Sequence, residues 1–212
     1  MLVLVDVLNI CCCTVVTTKH MIKVERMNNE KYEQEVELEV AKTENIAIGI
    51  VTIEGDYATL TYKRRLSHPR EVVWKDITDP KEFAVWFKQQ ARVFDGRSGG
   101  EIDYVNEISG YHATGRVLVW EPPRVFEHEW HIASRPELPG GEPEAVVRWE
   151  LMNEGDSNTL LTNIFSRLTK RTALLFAPGQ HAYLDRLDAH LNGEVLPEWK
   201  ERYAAVKESY RT

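Results

Sequence analysis

The sequence predicts an α+β domain in which one long helix packs across the concave face of a curved antiparallel sheet. Three observations predict it: alternating strand segments joined by short turns, two short helices that follow the first strand segment, and helical spacing near the C-terminus. Because a long helix cannot touch every part of a bent sheet, this arrangement leaves room for a cavity between the two.

The two short helices lie between Leu66 and Phe87, and each has its own start signal. Pro69 opens the first helix and Pro80 the second, since proline is pre-set for the first position of a helix. Each helix also carries one tryptophan, Trp74 in the first and Trp86 in the second. We therefore expect the pair to close one end of the sheet.

Short segments with alternating apolar residues extend from residue 46 to residue 168. The first, residues 46–66, predicts a hairpin with Gly55 and Asp56 at its turn. Turns rich in glycine and proline separate the segments that follow the helix pair, which indicates an antiparallel meander. A longer loop, residues 133–143, is expected at one rim of the sheet.

Helical spacing begins after residue 171. Pro178 fits the first turn of a long helix and Gly193 fits its C-terminal cap, with leucines every three or four residues between them. A further helix, residues 197–211, presents a stripe of aromatic side chains that we expect to dock on the domain.

The N-terminal part of the chain is set apart by its composition. Residues 1–44 are predicted to be a poorly structured extension, and residues 45–212 the folded domain. The first twenty residues lack the basic start and the cleavage site of a signal peptide, although export remains an alternative. Met21 or Met27 is an alternative start. The chain's three cysteines are consecutive, which matches no disulfide framework and indicates a cytoplasmic protein.

The charge of the chain excludes some classes of partner. Its formal net charge is -7, whereas a nucleic-acid-binding domain needs a basic surface. No apolar stretch is long enough to span a bilayer. We therefore predict neither a nucleic-acid nor a membrane partner.

Four motifs occur between about residues 46 and 193: HPREVVWKDITDPKEFAVWF, GRSGGE, GRVLVWEPPRVFEHEW and LDRLDAHLNG. They resemble those of the START-like, Bet v-like helix-grip superfamily called SRPBCC. Within it they are most similar to the branch related to the C-terminal domain of the heat-shock protein 90 ATPase activator. Many members carry Gly-Trp in the long helix, whereas here Gly179 is followed by Gln180 and His181, so a more polar cavity is expected.

The resemblance implies a shared fold that serves different ligands and activities in different members. The leading prediction is a non-catalytic domain that binds a small hydrophobic or aromatic molecule, as a monomer or a homodimer. One alternative is a protein-interaction module that acts on a chaperone in a stress response. Another is an enzyme of the cyclase or hydrolase type, for which His128 would be the residue to test.

One strand carries the candidate ligand-contacting face. Phe126, His128 and Trp130 share a face because side chains alternate along a strand. If that face is concave, His128 is a candidate acid, base or ligand contact, and the ordinary alternative is a buried histidine with a satisfied hydrogen bond. The predicted cavity lining is Phe126, His128, Trp130, Trp149, Gln180, Tyr183 and Leu187.

No catalytic residue, cofactor or metal site is predicted. No pair of histidines has the spacing of a zinc site on one helix face. Glu127 and Glu129 are expected on the solvated face of the sheet. Arg116 and Arg148 are candidates for pairing with an acidic ligand, with a surface role as the alternative.

Overall fold

A computed structural model of the protein describes residues 48–106, 110–136 and 138–210. The strands are β1 (Ile50–Glu54), β2 (Tyr57–Leu66), β3 (Gln90–Phe94), β4 (Glu101–Asn106), β5 (Tyr111–Glu121), β6 (Val125–Glu129), β7 (Val146–Asn153) and β8 (Thr159–Thr169). The helices are α1 (Arg70–Thr78), α2 (Pro80–Phe87), α3 (Lys170–Leu191) and α4 (Trp199–Lys207). The extension predicted at residues 1–44 lies outside the described residues.

The strands form one antiparallel sheet in the order β1-β2-β8-β7-β6-β5-β4-β3. The predicted hairpin joins β1 to β2, and Gly55 at its turn has the positive φ of 59° that glycine tolerates. Register shifts interrupt the pairing of β2 with β8, β3 with β4, and β5 with β6. Bulges of this kind bend a sheet, which gives it a concave face.

The two short helices begin and end close to where the sequence predicts. Asp79 separates them, and its side chain accepts a hydrogen bond of 2.8 Å from the backbone N–H of Lys81 at the start of α2. On α2, Trp86 is fully buried, and its indole N–H donates to the backbone carbonyl of Asp76 on α1 at 2.9 Å. This bond fixes the two helices against each other.

The long helix begins eight residues earlier than Pro178, so the predicted start was wrong. Thr169 caps α3, and the buried carboxylate of Glu142 accepts hydrogen bonds from the Thr169 N–H at 3.0 Å and hydroxyl at 2.7 Å. A carboxylate at this position also complements the positive end of the helix dipole. Pro178 therefore lies inside α3, where it leaves the carbonyl of Leu174 without its helical donor.

The C-terminal segment docks on the domain, as predicted, and its helix covers Trp199–Lys207, which is shorter than the predicted 197–211. A 3₁₀ turn, Glu208–Tyr210, follows α4, and the Tyr210 hydroxyl accepts a hydrogen bond of 2.7 Å from the backbone N–H of Gly49. The same hydroxyl lies 2.9 Å from Nδ1 of His181 on α3. These bonds join the end of the described chain to the residue that precedes β1 and to α3.

The predicted α+β helix-grip architecture is confirmed. The apolar face of the sheet, the helix pair and α3 share one core, which includes Leu60, Phe126, Trp149 and Leu184. In the part of the chain that the structure describes, no helix is long and apolar enough to cross a membrane.

Truncating Trp86 to alanine is expected to lower the free energy of unfolding by about 3–5 kcal/mol, because the change leaves a large cavity and removes the hydrogen bond to Asp76. Urea unfolding followed by circular dichroism measures this loss. The matched control is Val85→Ala on the same helix, where the side chain is exposed and the expected change stays within about 0.5 kcal/mol. Equal effects at the two positions would contradict the role given to Trp86.

Candidate ligand-binding cavity

A cavity of about 660 Å³ lies between α3, the sheet and α4. This volume falls within the range of about 300–1,000 Å³ that is usual for small-molecule sites. Aromatic side chains form most of its wall: Phe87, Tyr111, Trp130, Phe165, Phe176, Tyr183, Trp199 and Tyr203. The cavity therefore offers mainly flat, apolar contact surface.

A row of aromatic rings joins three helices along one wall. The ring centroid of Tyr183 on α3 lies 4.3 Å from that of Phe87 on α2 and 5.6 Å from that of Trp199 on α4. Trp199 in turn lies 5.1 Å from Tyr203, one turn further along α4. Planar ligands stack favourably on surfaces of this kind.

Gly179 allows α4 to approach α3 closely. A Cβ atom added at Gly179 would lie 3.1 Å from the ring of Trp199, which is tighter than ordinary contact. The indole N–H of Trp199 also donates to the Gly179 carbonyl at 3.2 Å. The Gly179 carbonyl thus accepts a hydrogen bond from α4, and this bond holds the indole in the wall.

Two tyrosine hydroxyls of the wall, those of Tyr111 and Tyr183, stay uncharged at neutral pH. Burial raises the pKa of Tyr183 to about 12 and raises that of Tyr111 further. The Tyr111 hydroxyl also accepts a hydrogen bond of 3.0 Å from the indole N–H of Trp130. Charged side chains are confined to exposed positions, where Lys88 lies 3.5 Å from Glu198.

Three of the seven predicted lining residues border the cavity: Trp130, Gln180 and Tyr183. Gln180 is buried, and its amide N–H donates to the side-chain oxygen of Asn163 on β8 at 2.9 Å. It therefore supplies the polar character that its place in the sequence predicts for the wall.

The other four predicted residues, Phe126, His128, Trp149 and Leu187, are buried but do not border the cavity. Other side chains fill the space next to two of them: Trp86 of the helix pair packs edge-on to Trp149 at 6.2 Å between ring centroids. Phe94 on β3 packs edge-on to Phe126 at 5.9 Å. The concave face is thus solid at this end, and the empty volume lies towards the N-terminal half of α3.

His128 is surrounded by aromatic rings and has one hydrogen bond. Its Nδ1 lies 2.9 Å from the backbone carbonyl of Glu129, so that nitrogen carries the proton and donates. Burial lowers the pKa of His128 to about 4. It is therefore neutral at physiological pH and matches the ordinary alternative for this residue.

The two arginine candidates lie away from the cavity. Arg148 donates to Glu127 at 2.8 Å and to Glu150 at 2.6 Å on the outer face of the sheet. Arg116 is exposed. Neither side chain borders the cavity, so a role in pairing with a ligand inside it is not supported.

One group of side chains has the donor atoms of a metal site. The carboxylate oxygens of Asp76 and Glu82 and a ring nitrogen of His190 lie within 4.8 Å of one another. The sequence did not suggest this group. The ammonium of Lys75 occupies one side of this group, 2.7 Å from Glu82, and its hydrogen bond lowers the pKa of that carboxyl. His190 lies 3.2 Å from the same carboxylate. The group acts as an ion-pair cluster that holds α1, α2 and α3 together.

Sequence and structure comparisons bear on the family of the chain. The family model described as "Activator of Hsp90 ATPase homolog 1-like protein" matches residues 67–192, more than half of the 212 residues. The chain belongs to this family. The resemblance stated from the motifs is thereby confirmed, and the match spans the helix pair, the meander and α3.

Solved structures related to this Activator of Hsp90 ATPase homolog 1-like chain share its fold. CalU16 from Micromonospora echinospora is 25% identical, with 76% of this chain and 91% of that chain covered and a TM-score of 0.58. EF2215 from Enterococcus faecalis, a conserved protein of unknown function, is 12% identical, with 81% and 95% covered and a TM-score of 0.61. MLL2253 from Mesorhizobium loti is 22% identical, with 65% and 99% covered and a TM-score of 0.57.

A search among proteins with curated functions found no match to the chain.

A buried arginine connects the helices that surround the cavity. From α3, the Arg186 guanidinium donates to the backbone carbonyls of Trp86 at 2.8 Å and Val85 at 3.0 Å, in the last turn of α2. It also donates to the carbonyl of Pro197 at 2.5 Å, just before α4. The last carbonyls of a helix have no partner within it, so this one cation pairs two of those of α2 and fixes the approach of α4.

Replacing Arg186 with methionine is expected to lower the free energy of unfolding by about 3 kcal/mol, because three buried or partly buried carbonyls lose a charged donor. Urea unfolding measures the change. Arg171→Met serves as the control, since Arg171 is exposed on the same helix and its replacement should stay within about 0.5 kcal/mol. A loss no larger at Arg186 than at Arg171 would show that the guanidinium does not hold the helices.

His128 is expected to titrate with a midpoint near pH 4 when its ring protons are followed by nuclear magnetic resonance. The pKa of His128 is then about 4 in the folded protein, against 6.5 in the unfolded chain. Stability is therefore full above pH 6.5 and falls as the pH drops towards 4, by on the order of 3 kcal/mol from this residue.

A variant separates this contribution of His128 from that of other acid-titrating groups. In His128→Phe, the loss of unfolding free energy between pH 7 and pH 4.5 should be smaller than in the wild type. A ring-proton midpoint near 6.5, or an unchanged loss in the variant, would contradict the burial of a neutral histidine.

Proposed function

We propose that this member of the Activator of Hsp90 ATPase homolog 1-like family binds a small, largely apolar aromatic molecule in the cavity between α3, the sheet and α4. The observation that carries the proposal is the cavity itself, about 660 Å³ in volume and walled mainly by aromatic rings. A folded protein normally fills such a space with side chains, and a retained apolar cavity of this size is the usual form of a small-molecule site.

The chemistry of the wall favours binding over catalysis. The two cavity tyrosines described above are held uncharged, and His128, the candidate for acid–base chemistry, lies outside the lining. We therefore propose a non-catalytic, cytoplasmic binding domain within residues 45–212, and we do not assign the cyclase or hydrolase role to His128.

A second candidate function is an interaction with a chaperone, in a stress response. The description of the matching family favours it, since that description names an activator of the Hsp90 ATPase. Stimulation of a chaperone ATPase by the purified protein tests it directly. Absence of both binding and stimulation would exclude this second candidate and leave the cavity proposal in place.

A pair of neighbouring leucines on α3 tests the cavity proposal. Leu175 borders the cavity, whereas Leu174 does not, and the two side chains are 47% and 39% exposed, so the fold should tolerate a change at either. The probe is 1-methoxypyrene, an uncharged aromatic molecule. Its binding is followed by energy transfer from tryptophan, because Trp130 and Trp199 lie in the wall.

Leu175→Glu is expected to weaken probe binding about tenfold, since it places a charge against an apolar ligand. Leu174→Glu should bind like the wild type. If the wild type fails to bind this probe and a wider panel of apolar aromatic molecules, the proposal is wrong. Equal weakening in both variants would show that the probe binds somewhere other than this cavity.

A further inference from the structure

Gln89 stands out in the cavity wall because its side-chain oxygen has no partner. The residue borders the cavity, lies between α2 and β3, and is only 4% exposed. No hydrogen bond from the described residues reaches its side-chain oxygen Oε1, which is itself buried. Buried polar atoms almost always have a hydrogen-bond partner. An unpaired acceptor beside an apolar cavity therefore indicates a place for a hydrogen-bond donor from a bound molecule.

The neighbouring backbone holds Gln89 in this position. Lys88 ends α2 with a φ of 58°, in the left-handed region that residues other than glycine seldom adopt. The side-chain amide of Asn106 on β4 donates to the Lys88 carbonyl at 3.0 Å and fixes that conformation. The turn at Lys88 directs the buried Gln89 towards the wall, while the next residue, Gln90, is exposed.

The cavity has a shape and chemistry that suit a donor-bearing ring. Its aromatic wall accepts a planar apolar body, and the terminal torsion of a glutamine side chain is broad, so a small rotation presents Oε1 to the cavity. The oxygen accepts a hydrogen bond and cannot donate one. A hydroxyl or N–H on the ring would satisfy it, whereas an ether or a ketone would not.

Resting on the proposed function, we propose that Gln89 is the residue that selects ligands, and that the cavity takes aromatic molecules carrying a hydroxyl or N–H donor. The donor hydrogen bonds to Oε1 while the ring lies among the aromatic side chains of the wall. An aromatic ligand without a donor leaves the acceptor buried and unpaired, and it binds more weakly for that reason.

The test compares 1-hydroxypyrene with 1-methoxypyrene in three proteins: wild type, Gln89→Met and Gln90→Met. Methionine has nearly the length of glutamine but lacks its strong acceptor, and the exposed Gln90 provides the same substitution one residue away. The wild type and Gln90→Met should prefer the hydroxyl compound about tenfold. Gln89→Met should lose that preference while it binds the methoxy compound at least as well as the wild type.

The thermal midpoint of the ligand-free protein gives a second readout. Removing an orphaned buried acceptor should raise the Tm of Gln89→Met by about 2–4 °C, so that selectivity and stability change in opposite directions. A residue with a merely structural role would lower the Tm and leave the preference intact.

The outcomes separate this inference from the proposed function. If both probes bind the wild type without preference, or if the preference persists in Gln89→Met, the role of Gln89 is overturned while the cavity still binds aromatic molecules. If neither probe binds the wild type, the aromatic site fails and the inference fails with it.

Discussion

One buried guanidinium, that of Arg186 on the long helix α3, holds the end of α2 and the segment before α4 against α3. Its donors reach the last turn of α2 and the carbonyl of Pro197, just before α4. Each of these helices contributes aromatic rings to the same wall of the cavity. A hydrogen bond from a charged donor to a backbone carbonyl is directional as well as strong. This contact therefore fixes the positions of the helices that form the wall.

Packing then decides where the concave face is solid and where it is empty. The helix pair inserts Trp86 against Trp149 on β7. The rings of Tyr104, Phe126 and Trp130 surround His128 and fill the space there. The early start of α3, capped by Thr169 and Glu142, adds one side of the remaining space. On the other side Gly179 lets Trp199 approach, so α4 closes the cavity with aromatic surface and without filling it.

The sequence predicted the order of elements well because proline, glycine and alternating apolar residues act locally. Three of the seven residues predicted to line a cavity border this one and four, His128 among them, do not, because the way side chains pack beneath the sheet is a tertiary property. The start of α3 was missed since Glu142, 28 residues before Lys170, supplies part of its cap. Gly179 inside a helix was a usable signal for a close approach. Nothing in the sequence singled out Gln89, whose significance comes from an acceptor left unpaired by the fold.

Hydrogen exchange with and without bound 1-hydroxypyrene tests the central claim most directly, that the cavity bounded by α3 and α4 is the ligand site. Exchange should slow in α4 and in the half of α3 that contains Gly179, because a ligand in the cavity contacts both. The hairpin of β1 and β2, which does not border the cavity, should exchange as before. Protection of the hairpin with no change in α4 would contradict the claim.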